Sequence, residues 1–252
     1  MGKHTGVWMM LGVFFGMLGP VYATNFWFEK GTDTLKSVGL PKDTAVKNAS
    51  GAGVSVGEIA AGLKEALSMG SDTVVKQLGA TNGFNTDPAI HIPLPKSLSM
   101  VKLALGKIGY GALVDDLELK LNRAAEAATP QAKKLFQDAI SSMTFEDVHA
   151  IYKGADDAAT QYFKEKMSPG LAKAMEPVID NTLSQVGAVQ AYDEMMGKYK
   201  ALPFVPDVKS NLTGHVVEKG MAGIFHYMAR EEKAIRQNPV NRTTRLLKKL
   251  FN

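Results

Sequence analysis

The sequence predicts an all-α protein: a single multi-helix domain of about eight to ten helices behind a cleaved signal peptide and a flexible N-terminal segment. Three observations support this prediction. Apolar residues recur at helical spacing along most of the chain after Ser55, strand-like alternation never persists, and helix start and stop signals separate the periodic segments. We therefore divide the chain into residues 1–23, a signal peptide, residues 24–54, a flexible segment, and residues 55–252, an all-helical domain.

The N-terminal residues have the charged, apolar and cleavable pattern of a secretory signal. Lys3 precedes an uncharged apolar run, Val7 to Leu18, and Gly19-Pro20 then breaks it ahead of a cleavage site after Ala23. The run is shorter than the roughly 20 apolar residues that span a bilayer, although an uncleaved membrane anchor is the alternative. We expect export to the periplasm, and not as a lipoprotein, because the chain has no cysteine to carry a lipid.

Composition narrows the classes of function. The chain is 45% apolar, which is enough for a sizeable core. Of its 29 Lys and Arg residues only Lys3 lies in the leader, so the excess over 25 acidic residues is too small to predict nucleic-acid binding. The absence of cysteine excludes a disulfide framework, a thiol nucleophile and a thiolate metal site.

The elements follow from periodicity and capping signals. Residues 24–54 lack a helical or strand period and predict a flexible leader to the domain. A capping box of Ser55 and Glu58 starts a helix that ends near Gly79. The Pro-punctuated stretch from Asp87 to Pro95 cannot be helical, because proline restricts the residue before it to extended geometry.

Helical spacing then resumes and continues to the C-terminus, interrupted by a second Pro-punctuated apolar stretch from Leu202 to Asp207. The predicted helices cover 96–108, 111–128, 130–143, a segment starting at Thr144, 156 or 157 to 163, 168–186, 188–199, 212–236 and 239–251.

Five segments together resemble an exported bacterial family, domain-of-unknown-function family 4197. They are FNTDPAIHIPLP (84–95), ELKLNRAAEAA (118–128), MTFEDVHAIYKGADDAATQYF (143–163), GKYKALPFVP (197–206) and EEKAIRQNPVNRTTRLLKKLF (231–251). The resemblance implies a helical domain behind a signal peptide in the cell envelope, and it implies no activity. Some exported relatives have a lipobox cysteine that this chain lacks.

Two helices carry candidate ligand-binding residues. In 111–128, Glu118 lies at the edge of the apolar arc, with Asn122 and Glu126 following at i+4 and i+8. Such a row is either a boundary stripe or a ligand-facing row. In the helix 212–236, Glu232 falls within the apolar stripe and Arg236 lies one turn later.

A carboxylate on a core-facing position needs a partner, because an isolated buried charge is costly. Arg236 is the local candidate, so the two residues form either a buried ion pair that fixes helix register or a ligand-facing pair, unless Glu232 lies on an exposed face. For the buried pair, we expect loss of one partner to destabilise the fold more than apolar replacement of both.

Weaker signals concern capping and metal binding. Asp156 and Asp157 precede a helix, and capping explains them better than calcium binding. Glu146, Asp147 and His149 lie on a probable helix with the E-x-x-H spacing of di-iron bundles, but no second copy of the motif exists. These three residues are the weak candidates for a metal site, and no cofactor can be assigned.

The predicted final helix is basic and amphipathic. Its basic face suits peripheral contact with an anionic membrane, although docking of its apolar face on the domain is the simpler interpretation. The basic residues are Arg242, Arg245, Lys248 and Lys249.

The sequence favours a noncatalytic helical module of the cell envelope that binds or scaffolds an envelope protein or an apolar ligand. The Pro-punctuated segments Ile90–Pro95 and Leu202–Pro206 are candidate walls of a groove, unless both pack inward. The alternative is a carboxylate-based metal-binding protein or hydrolase that uses an internal Glu/Asp cluster.

Overall fold

Helical periodicity after residue 55 produces eight α-helices in the residues that the computed structural model describes, 56–206 and 210–237. Short 3-10 turns, Lys96–Leu98 and Thr129–Gln131, lead into the second and fourth of them. The helices are α1 (Val56–Leu78), α2 (Ser99–Lys107), α3 (Gly111–Ala128), α4 (Ala132–Ser141), α5 (Phe145–Lys153), α6 (Ala158–Gln185), α7 (Ala188–Lys200) and α8 (Leu212–Gln237).

The predicted all-α class is confirmed, and no strand occurs within the described ranges. Within these ranges, no helix combines the length and apolar character that crossing a membrane requires. The predicted signal peptide, flexible segment, Ser55 capping box and final basic helix lie outside the described residues.

The centre of the core is formed where α6 packs against α8 and α3. α6 runs unbroken for 28 residues, where the sequence analysis predicted two helices. Pro169 and Pro177 lie inside α6 on its exposed face, so water can reach the carbonyls of Glu165 and Lys173 that lose their N–H donors.

Burial explains why α6 continues through its prolines. An interior proline costs about 3 kcal/mol, whereas each large apolar side chain that is buried contributes about 1.5–3 kcal/mol. Six such side chains, one at every fourth residue, form the buried stripe of α6: Phe163, Met167, Leu171, Met175, Ile179 and Leu183.

The segment between α1 and α2, which is rich in turns, is anchored in the core by Phe84. The ring of Phe84 is fully buried and lies over Gly223 of α8. A Cβ at Gly223 would meet Phe84 Cε1 at 2.6 Å and Ile90 Cβ at 3.4 Å. The glycine therefore provides the space in which the segment packs against α8.

Candidate functional site

α3 carries three buried polar side chains on one face, Glu118, Asn122 and Glu126. All three bond to the backbone of segment 84–94, which forms turns as far as Ile90 and has no regular secondary structure from His91 on. Turns within the segment pair the N–H groups of Asp87, Ala89, Ile90 and His91, but no strand lies beside it within the described residues to accept the N–H groups that remain. The polar row of α3 provides acceptors instead.

Asn122 makes the central contact of this row. Its Oδ1 accepts the Ile92 N–H at 2.9 Å, and its Nδ2 donates to the Ile92 carbonyl at 2.9 Å and to the Glu118 carbonyl at 2.8 Å. Asn122 is fully buried, so its amide satisfies both backbone groups of Ile92 where water cannot.

Glu118 holds the C-terminal end of the segment. Its Oε1 accepts the Leu94 N–H at 3.0 Å and an Nζ–H of Lys102 at 2.7 Å. His91 Nε2 lies 3.9 Å from Glu118 Oε2. The buried carboxylate thus has a cation and a backbone donor, as burial of a charge requires.

Glu126 holds the other end. Its Oε1 accepts the N–H groups of Phe84 and Asn85 at 3.1 and 3.2 Å, and its Oε2 accepts from Arg123 at 2.6 Å. Arg123 also donates to Asn82 Oδ1 at 2.8 Å. The sequence predicted this row of polar residues at i, i+4 and i+8. The row binds a segment of the same chain and not a separate ligand.

Glu232 and Arg236 form a second cluster on α8, at the junction of α5 and α6. Arg236 NH2 lies 2.9 Å from Glu232 Oε1; the Glu232 side chain is buried and that of Arg236 is 11% exposed. The buried ion pair predicted from the apolar stripe is present. Glu118 and Asn122 bond to segment 84–94 instead, so the four predicted residues occupy two separate clusters.

The pair also bonds to the ends of two other helices. Glu232 accepts the N–H groups of Ala159 and Thr160 at 2.9 Å each, and the Thr160 hydroxyl at 3.0 Å. Arg236 NH2 donates to the carbonyl of Ile151 at 2.7 Å. A negative charge thus meets the N-terminus of α6 and a positive charge meets the C-terminus of α5, each with the favourable sign for the helix dipole.

The expectation that Asp156 or Asp157 caps α6 is wrong. Asp157 occupies the N-cap position, but its side chain makes no capping hydrogen bond and instead accepts from Gln161 at 2.8 Å. The carboxylate that satisfies the first amides of α6 comes from Glu232, which is too distant in sequence for a local capping pattern to identify.

The weak metal candidates lie at the start of α5. Asp147 and Thr144 form a capping box there, and the backbone N–H of Thr144 donates to Asp147 Oδ2 at 2.9 Å. This hydrogen bond lowers the pKa of Asp147 below its ordinary value. In the described part of the chain, no three His, Asp or Glu side chains are close enough to hold a metal ion.

A shallow depression of about 500 Å³ lies at the turn after α1, lined by residues that include Asn82, Gly83 and Asp87. Its one carboxylate, Asp87, accepts the hydroxyl of Tyr227. Burial, together with this hydrogen bond, raises the pKa of Tyr227. The lining offers no pair of carboxylates for acid–base chemistry.

The two Pro-punctuated segments, predicted as walls of one groove, differ from each other. Ile90, Ile92 and Leu94 of the first segment are buried in the core. In the second segment, Phe204 is fully exposed and has a φ of 62°. A bulky side chain in this left-handed region is uncommon and strained.

Sequence analysis missed a group of exposed apolar side chains on α2. α2 buries Val101 and Leu105 on one face, while Met100 and Leu103 on the opposite face are 58% and 62% exposed. We define the α2 surface as the exposed side chains of Met100, Leu103, Ile108 and Tyr110 on α2 and the turn that follows it. The sequence contained a signal for this surface. α2 is short and has apolar side chains on two opposite faces, which indicates that one of these faces stays exposed.

Two contacts bring the chain before and after segment 201–206 to the two ends of α2. Lys198, near the end of α7, lies over the Tyr110 ring at 5.3 Å, next to the C-terminal end of α2. Ser210, beyond the segment, bonds to Ser97 at 3.2 Å, next to the N-terminal end. Lys198 and Ser210, on either side of the segment, therefore lie near opposite ends of α2.

Fold and clusters define an all-α protein in which buried polar side chains satisfy the backbone of their own chain. The chain belongs to the family described as "Protein of unknown function (DUF4197)", which matches residues 53–252. The resemblance drawn from the five segments is thereby confirmed at the level of the family. No curated protein and no solved structure matches the chain.

Proposed function

We propose that this protein is an exported, noncatalytic binding module of the cell envelope and that it binds through the exposed ring of Phe204 and the α2 surface. The observation that carries the proposal is Phe204, a fully exposed aromatic ring in a left-handed conformation. Neither property stabilises the folded chain, because an exposed ring contributes no free energy of burial and the left-handed conformation costs about 1–3 kcal/mol. Both are explained if a bound partner covers the ring.

The role of the buried carboxylates supports a noncatalytic module. Glu118, Glu126 and Glu232 each accept backbone N–H groups, and each has a Lys or Arg partner. No buried side-chain nitrogen or oxygen within 56–206 and 210–237 lacks a hydrogen-bond partner. These carboxylates therefore already perform a structural task.

Export is the second part of the proposal, and the N-terminal pattern supports it. We expect cleavage after Ala23, which leaves Thr24 as the first residue of the mature chain. N-terminal sequencing of the envelope fraction tests this step. Recovery of only the full-length chain in membranes would contradict cleavage.

Photo-crosslinking in the cells that make the protein tests the binding surface. A photoreactive amino acid replaces Leu103 on α2 in the full chain, and Phe145 on α5 serves as control because it is 57% exposed and outside the α2 surface. We expect adducts with an envelope component at position 103 and none at position 145. Equal yields at the two positions, or no adduct at position 103, would refute the proposal.

A separate measurement tests the alternative function, a metal-binding protein or hydrolase. Elemental analysis of the protein purified from the envelope, combined with native mass spectrometry, would detect a stoichiometric metal. A retained metal that is lost on Glu118→Gln or Glu232→Gln substitution would favour that alternative.

A further inference from the structure

We infer that Asn82 is a modification site, at which the side-chain amide is converted to aspartate or isoaspartate, and that Arg123 protects it by holding the surrounding turn closed. The inference is independent of the binding surface proposed above. Asn82 is exposed and precedes Gly83, in the one Asn-Gly dipeptide of the chain. Asparagine before glycine is especially prone to this conversion, because glycine has no side chain to hinder attack by its own nitrogen.

The conversion consumes water and releases ammonia. The backbone nitrogen of Gly83 attacks Cγ of Asn82, and its proton passes through water to the side-chain nitrogen, which departs as ammonia. The new bond closes a succinimide ring. Water then opens this ring at either of its carbonyls, which gives aspartate or, with an added methylene in the main chain, isoaspartate.

The turn after α1 favours this reactive dipeptide at both positions. The Gly83 N–H donates to the Ala80 carbonyl at 2.9 Å, and Asn82 has a φ of 68°, as the third residue of a type II turn requires. Glycine and asparagine are the residues that adopt such a φ most readily. A Cβ at position 83 would lie 2.5 Å from the Leu78 carbonyl oxygen, so only glycine fits there.

The closed turn blocks the first step of the conversion. The third residue of a type II turn has a ψ of about 0°. Ring closure instead requires rotation about this bond until the Gly83 nitrogen eclipses Cβ of Asn82, and this rotation breaks the hydrogen bond to Ala80. The reaction therefore proceeds from a locally opened turn, at a rate set by the population of that open form.

Arg123 holds the turn against α3. One arm of its guanidinium donates to Asn82 Oδ1 at 2.8 Å, and the other donates to Glu126 Oε2 at 2.6 Å. Glu126 in turn accepts the N–H groups of Phe84 and Asn85. The two α3 side chains thus fix the backbone on both sides of the reactive bond, and their contacts are of the strong, charge-assisted kind.

Isoaspartate would be incompatible with this turn. Its added methylene lengthens the main chain beside Gly83, where the backbone of Leu78 leaves no room even for a Cβ. Refolding cannot remove the methylene. The modification therefore marks chains in which the turn has once opened.

Mass spectrometry of proteolytic peptides measures the conversion at each asparagine of the full chain in mildly alkaline buffer. In the chain unfolded by guanidinium chloride, we expect Asn82 to convert faster than Asn85 and Asn181, which both precede threonine. In the folded chain, conversion of Asn82 should be at least about tenfold slower than in the unfolded chain.

Arg123→Met should speed the conversion of Asn82 in the folded chain about tenfold, because it removes a charge-assisted hydrogen bond that keeps the turn closed. Hydrogen exchange at the Gly83 amide should accelerate by the same factor, since both processes need the open turn. The control is Lys133→Met, which removes a half-exposed cation of α4 that pairs with Asp72 at 3.1 Å, and it should change neither rate.

Arg123→Lys makes the same comparison if the methionine variant does not fold, because lysine keeps a cation beside Glu126 and lacks the second arm of the guanidinium. Any of three results would overturn the inference. They are equal conversion of Asn82 in the folded and unfolded chains, conversion in the unfolded chain no faster than at Asn85, and conversion in the folded Arg123 variant that is unchanged or slower. A slower conversion would show that the guanidinium activates the amide instead of protecting it.

Discussion

Glu232 and Arg236, one turn apart on α8, complete the ends of two other helices while they neutralise each other. Glu232 bonds to the first amides of α6, and Arg236 bonds to the Ile151 carbonyl at the end of α5. The ion pair is thus also a double cap. This second role changes what its removal should cost.

The first prediction concerns this pair. Glu232→Ala should destabilise the protein by about 3–5 kcal/mol, because it removes the carboxylate partner of a largely buried guanidinium and the acceptor of two α6 amides. Glu232→Met combined with Arg236→Leu removes both charges, yet it leaves the amides of Ala159 and Thr160 without their acceptor, while the carbonyl of Ile151 keeps only the Gly154 N–H. We therefore expect the double variant to remain roughly 2 kcal/mol or more below wild type.

Urea unfolding of the single and double variants measures this coupling. Lys134 and Asp138, an exposed i,i+4 pair on α4, give the matched control, and their removal should change stability by less than about 0.5 kcal/mol. Full recovery of stability in the double variant would show that capping contributes nothing.

The second prediction concerns Asn122. Asn122→Leu keeps the volume but leaves both backbone groups of Ile92 unpaired in the core, at a cost of roughly 2–4 kcal/mol. Hydrogen exchange at the Ile92 amide should accelerate in the variant. Asn181→Leu, at an exposed position of α6, should stay within about 0.5 kcal/mol. Unchanged protection of Ile92 would contradict this account.

The third prediction separates two glycines. Gly223→Ala should destabilise by about 1–3 kcal/mol despite the higher helix propensity of alanine, because the new Cβ meets the buried Phe84 ring. Gly197→Ala in α7 meets nothing within 4 Å and should stabilise by up to about 1 kcal/mol. Thermal unfolding measures whether each substitution raises or lowers the stability. A stabilising Gly223→Ala would show that Phe84 does not occupy this space.

The fourth prediction is a pH dependence at the start of α5. The Thr144 N–H lowers the pKa of Asp147 in the folded state, so this carboxylate stabilises the fold above its unfolded pKa, and the contribution is lost as the pH falls through the folded pKa. Asp147→Asn should cost about 0.5–1 kcal/mol at pH 7, and the difference from wild type should shrink below about pH 4.

Stability measured across this pH range tests the capping box. Asp193→Asn, at an exposed position of α7, is the control and should show a smaller effect at neutral pH. A gap between wild type and Asp147→Asn that stays constant into acid would mean that the carboxylate charge plays no part.

Periodicity predicted most helices because each buries a stripe that its own sequence displays. The bounds of α3 and α8 agree with the predictions to within one residue, and the placement of Glu232 within an apolar stripe predicted its burial. α6 shows where local rules fail, since Pro169 and Pro177 signal helix ends unless tertiary burial outweighs their cost.

The partners of the polar residues could not be predicted in the same way. A row such as Glu118, Asn122 and Glu126 shows that something polar must face α3, but not that segment 84–94 is the occupant. The exposure of Phe204 likewise depends on the path of the chain between α7 and α8, which no period encodes.

The double cap on α8 has a consequence for the order of folding. Its bonds connect residues 72 to 85 positions apart along the chain, so the α5–α6 junction acquires its polar partners only after α8 has docked. A nascent chain that ends before residue 232 lacks both side chains that bond to the adjoining ends of α5 and α6. We therefore expect these helices to lock together late and in one cooperative step, so that fragments released before the chain is finished remain open to proteases.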